Sequence, residues 1–62
     1  MARNAAEFKR YLTMALGSND EVKVQLRYCK DLGYITDEQY IAHNSAYMEI
    51  GRMLSKLIQN WQ

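Results

Sequence analysis

Apolar residues recur at intervals of three and four through both halves of the chain. In the first half Ala5, Phe8, Leu12, Ala15, Asn19, Val22, Leu26 and Cys29 keep one phase, which is the spacing of a helix with one face turned to a partner. In the second half Tyr40, His43, Tyr47, Ile50, Leu54, Leu57, Ile58 and Trp61 gather on one side at 100° per residue. Glu38, Ser45, Glu49, Arg52, Lys56 and Gln59 fall opposite. Between the two stripes Gly33 supplies a residue free to turn left-handed and end a helix. Thr36 and Gln39, three apart, form a capping box, and Ile35 with Tyr40 fit a hydrophobic staple. The pattern predicts an all-α fold, an antiparallel two-helix hairpin forming a single unit over 1–62. Its parts are a helix over about 4–32 with Asn4 as N-cap, a turn over 33–36 and a helix over about 37–59.

Gly17-Ser18-Asn19-Asp20 is the weak point of the first helix. Glycine costs about 1 kcal/mol against alanine inside a helix, so the patch also reads as a loop between two short helices. The stripe crosses it without losing phase, which favours one continuous helix roughly 42 Å long.

Opposite the Phe8, Leu12, Leu26 stripe lie Ala6, Gly17, Val24 and Tyr28, with Met14 and Leu32 beside them. Closing the hairpin leaves this second apolar surface uncovered, which marks a further interface. Ordering 62 residues costs roughly 1.5 kcal/mol each, more than a lone hairpin recovers by burial. One cysteine excludes an internal disulfide, and one His with one Cys is too few for a structural zinc. Self-association into a four-helix bundle or a larger helical oligomer is therefore expected. Ala6, Met14, Gly17, Val24, Tyr28 and Trp61 are its candidate interface.

The apolar fraction of 48% fits a globular protein, and no run approaches the ~18 uninterrupted apolar residues of a membrane span. Met1-Ala2-Arg3-Asn4 leads directly into the helical pattern, without a secretory signal, so a cytoplasmic location is expected, with no membrane partner.

The motifs resemble a known family. Leu32-Gly33-Tyr34, the acidic cap with Tyr40, Glu49-Ile50-Gly51-Arg52-Met53-Leu54 and the Leu57-Ile58 pair look like the C-terminal half of the four-helix-bundle proteins encoded in bacterial 23S rRNA intervening sequences. Glu7-Phe8-Lys9-Arg10-Tyr11-Leu12, Ala15-Leu16-Gly17-Ser18 and Gln25-Leu26 resemble that family's third helix, so the likeness covers nearly the whole chain. It implies up-down bundles, rings of several subunits with basic surfaces, and relatives that are accessory variability determinants of retroelement reverse transcriptases. A reverse transcriptase, or a separate N-terminal half that supplies the other two helices, thereby joins a second copy of the chain among the expected partners. Nothing in the sequence matches those two helices, and Met1 reads as a natural start, an internal start or the edge of a truncation.

No catalytic constellation emerges. With positions pairing across the turn so that their numbers sum to about 68, Cys29 lies nearest Gln39 and Tyr40, and His43 nearest Leu26 and Gln25. The two are a helical turn out of register, and neither Ser18 nor Ser45 gains a base. Cys29 reads as core and His43 as an interface hydrogen-bonder; no enzyme, metal or cofactor is expected. Charge gives the better lead. The net charge is only +1, yet residues 1–32 hold Arg3, Lys9, Arg10, Lys23, Arg27 and Lys30. Lys9, Lys23, Arg27 and Lys30 share one flank of the first helix, with Asp20 among them, and Arg52 and Lys56 form a shorter pair on the second. Such a stripe commonly does no more than solubilise a flank. Repeated by symmetry, it would also gather many phosphates at once, and Tyr11 and Tyr28 could add stacking. The expected function is a non-enzymatic nucleic-acid-binding or assembly factor using Lys9, Lys23, Arg27, Lys30, Arg52 and Lys56 on RNA or DNA. The alternative is a protein-protein interaction module that binds no nucleic acid.

Overall fold

A computed structural model describes residues 4–61; Met1, Ala2, Arg3 and Gln62, and with them the questions of the start site and of Arg3 as a cation, lie outside the described residues. The chain makes two helices, α1 (Ala5–Asp31) and α2 (Asp37–Asn60), and no strand among the described residues. They pack side by side as a rod measuring 44 × 15 × 15 Å.

Local chemistry sets the ends. Asn4 is extended (φ −151°, ψ 170°), and its Oδ1 accepts the Glu7 N–H at 2.8 Å, satisfying one of the amides that the first turn leaves without a partner. At the other end of α1 the Tyr34 N–H donates to the Cys29 carbonyl at 2.9 Å and the Gly33 N–H to the Lys30 carbonyl at 3.0 Å. That pair of bonds is a Schellman closure. It requires the left-handed φ of +81° that Gly33 adopts. Three residues on, Thr36 accepts the Gln39 N–H at 3.0 Å while the Gln39 side chain accepts the Thr36 N–H at 2.9 Å. The capping box is complete, and the chain reverses over Leu32–Thr36.

α1 runs unbroken through Gly17 to Asp20. The reason lies across the hairpin. Asn19 is turned inward and is only 6% exposed, and its Nδ2 donates to the Tyr47 backbone carbonyl at 2.9 Å. Gly51, one turn further along α2, makes room for it: a Cβ there would stand 3.0 Å from the same Nδ2. A residue type that favours turns is held in the helix by a partner far away in sequence.

This contact also rotates α2 from its expected orientation. The helix presents Tyr40, Asn44, Tyr47, Gly51, Leu54, Ser55 and Ile58 to α1, whereas His43, Ile50 and Leu57 of the sequence stripe are exposed. Gly51, which sits at the edge of the apolar stripe, is in fact its buried centre. The hydrophobic stripe is broad enough to allow either orientation. Asn19 and Gly51 choose between them, because only an approach centred on the glycine brings the amide within reach of the carbonyl. On α1, Leu12 and Asn19 are buried, with Phe8, Leu16, Val22, Leu26 and Cys29 half-buried; Ala5 and Ala15 stay exposed.

The register matches the expected one. Phe8 meets Trp61 in a tilted contact with ring centroids 4.4 Å apart and planes at 47°, Asn19 reaches Tyr47, and the Lys30 ammonium lies 5.0 Å from the centre of the Tyr40 ring. Each pair sums to within two of 68. Leu12, 9% exposed, is the one buried hydrophobic side chain among the described residues, and no large side chain there is fully enclosed.

Candidate nucleic-acid interface

Antiparallel packing brings the two basic clusters onto one flank. An open groove of about 670 Å³ runs between the helices, with Asp20 and Lys23 of α1 on one side and Arg52, Ser55 and Lys56 of α2 on the other. A second hollow, about 430 Å³, shares Asp20 and Lys23 and continues past Arg27, Tyr28 and Tyr40. The two form one trough along the hairpin. Lys23, Arg27, Arg52 and Lys56 line it, joining cations that in the sequence stand on separate helices. Lys9 is exposed at the α1 end, opposite Gln59 by register. Lys30 is half-buried and placed over Tyr40, which gives it a packing role at the turn end.

Three of these cations have acidic neighbours on their own helix. Lys23 lies 3.3 Å from Asp20, Arg27 3.5 Å from Asp31, and Arg52 pairs with Glu49. Lys9 and Lys56 make no ion pair among the described residues. Exposed pairs at i,i+3 or i,i+4 contribute only about 0.3–0.5 kcal/mol. They lower the local field without locking the cations.

Tyr28 borders the trough and is 63% exposed. Tyr11 lies on the other flank beside Arg10, whose guanidinium carbon is 5.8 Å from the ring centre. Of the candidate self-association residues, Met14, Val24 and Tyr28 are exposed at 54–63%, Ala6 and Gly17 are exposed, and Trp61 is occupied in part by Phe8. Gly17 has nothing within 4 Å of where a Cβ would stand.

The candidate nucleophiles stay apart. Cys29 is a half-buried free thiol and His43 is exposed; Ser18 and Ser45 are also exposed. Among the described residues no cluster of three His, Cys, Asp or Glu is placed to hold a metal, and no helix is long and apolar enough to cross a membrane.

Two helices, a shallow charged trough and broad unclosed apolar surfaces define an all-helical hairpin that offers faces rather than an enclosed pocket. The chain belongs to the 23S rRNA-intervening sequence protein family, whose profile matches residues 1–56. That span includes the Leu32-Gly33-Tyr34 turn and the Glu49–Leu54 segment through which the resemblance is read. No curated protein and no solved structure matches the chain.

Proposed function

We propose that the chain is a non-enzymatic nucleic-acid-binding or assembly factor that works as a self-associated helical bundle and grips phosphates along the trough. The observation that carries this reading is the convergence of Lys23 and Arg27 from α1 with Arg52 and Lys56 from α2 on one open groove. Four cations on two rigid helices can follow a backbone without reading its bases, so binding is expected to be tolerant of sequence and sensitive to salt. Membership of a family named for an rRNA intervening sequence agrees with an RNA ligand.

Replacing Lys23, Arg27, Arg52 and Lys56 together with Gln tests it. Affinity for structured RNA should fall across all sequences, and the slope of log K against log salt should flatten by about 0.7–0.9 for each phosphate that is no longer neutralised. Circular dichroism should stay unchanged. Wild-type protein that binds neither RNA nor DNA at about 50 mM salt overturns the reading.

A second reading has its own support. Asp20, Asp31 and Glu49 offset three of the cations, as expected of a solvated flank. The chain would then be a protein-interaction module for a reverse transcriptase or for a bundle half carried on another chain, and its affinity for that protein would survive the same four substitutions.

A further inference from the structure

The cations of the trough stand in a straight file, and their spacing discriminates between forms of nucleic acid. In the register of the hairpin Lys56 lies opposite Leu12 and Arg52 opposite Leu16, so along the rod the order is Lys56, Arg52, Lys23, Arg27. The two members of each helix's pair are four residues apart, about 6 Å at the rise of a helix, and about 10 Å separates Arg52 from Lys23 along the axis. Asp20 stands in that gap, 3.3 Å from Lys23. The file is two pairs of cations with a carboxylate between them.

A duplex fits this arrangement poorly. Contact with both pairs requires both helices against the ligand, and the rod is 15 Å across, wider than the ~12 Å major groove of B-DNA. The major groove of A-form RNA is narrow as well as deep. A duplex therefore meets the trough only along its outer ridge, where each strand curves away from a straight file and a stiff helix cannot bow around Asp20. A single strand can follow the file and bow at the gap.

The turn end of the trough adds rings. Tyr28 and Tyr40 line the second hollow beside Arg27. The Lys30 ammonium lies over the Tyr40 ring, whereas Tyr28 is 63% exposed. A cationic groove that ends on an open aromatic ring suits a single strand, with phosphates on the cations and an unpaired base on the ring.

We infer that the trough takes single-stranded nucleic acid in preference to duplex, the backbone running along Lys56, Arg52, Lys23 and Arg27 and one base stacking on Tyr28. The inference rests on the nucleic-acid reading above and names the form of its ligand. It also takes Tyr28 out of the candidate self-association surface.

Fluorescence anisotropy with an unstructured RNA strand of about 12 nucleotides, and with the duplex it forms with its complement, tests the preference at low salt. The single strand should bind about tenfold more tightly than the duplex. Tyr28→Ala should lower single-strand affinity about tenfold and leave duplex affinity alone, while Tyr28→Phe, which keeps the ring, should behave as wild type. Sedimentation and circular dichroism of Tyr28→Ala should match wild type. Binding to neither form removes the nucleic-acid reading and this inference with it. Equal affinity for the two forms, or a Tyr28→Ala variant that keeps the full preference, leaves phosphate gripping in place and overturns the single-strand assignment. A changed mass for Tyr28→Ala gives the ring to an interface between chains and overturns the assignment too.

Discussion

A single buried amide carries much of the specificity of this hairpin. Asn19 donates through its Nδ2 to the Tyr47 carbonyl, while its Oδ1 has no hydrogen-bond partner among the described residues. Gly51 leaves room for the Nδ2 to reach that carbonyl. Alanine at 51 should gain about 1 kcal/mol in helix propensity, yet displacing the Asn19 amide from the carbonyl should cost about 1–3 kcal/mol, so Gly51→Ala should be net destabilising. Adding Asn19→Ala should recover most of the loss. Chemical denaturation of both single variants and the double, at one protein concentration, measures the coupling; additive effects would contradict the packing described. Gly17 offers the contrast. Gly17→Ala should stabilise an isolated hairpin by up to about 1 kcal/mol, since it meets nothing. A loss of assembly in that variant would instead show that a neighbouring helix uses the gap.

At the scale of the elements, the ends of both helices were legible and the angle between their faces was not. Gly33, Thr36, Gln39 and Asn4 act through neighbours a few residues away, so the sequence displays their geometry directly. Gly33→Val forces a β-branched side chain into a left-handed backbone and should cost a few kcal/mol, whereas Thr36→Ala removes one cap bond and should cost about 1 kcal/mol. Thermal melts of the two variants check the ranking. The rotation of α2 depends on a long-range bond between Asn19 and a backbone carbonyl, which side-chain hydropathy does not encode. His43, Ile50 and Leu57 satisfy the apolar period equally well on either side of the seam. The trough was half legible for the same reason. Each basic cluster is visible on its own helix, but their union depends on register and rotation together. The one sign available was that Asn19 and Gly51 lie opposite each other in the expected register.

For the whole molecule, the balance of buried and exposed surface decides the behaviour. With so little fully enclosed, the hairpin should depend on neighbours for its stability, and its melting temperature should rise by several degrees for each tenfold increase in concentration. A melt that is cooperative and independent of concentration would show a self-sufficient monomer. If the proposed function holds, nucleic-acid affinity falls with dilution in step with dissociation, because separate hairpins present one trough each and forgo the gain from binding at several points at once.

The tilted Phe8–Trp61 ring contact ties together the two ends of the hairpin, remote from the turn at Leu32–Thr36. Pairs near the turn close short loops early, while this one spans nearly the whole chain and has the largest closure entropy to overcome. Zipping should therefore start at Gly33 and finish at the rings. Trp61 is the only tryptophan, so its emission is a built-in clock for that final event. In rapid-mixing refolding, the fluorescence change should trail the recovery of helical ellipticity, and Phe8→Ala should leave the early helical phase untouched while removing the late optical one.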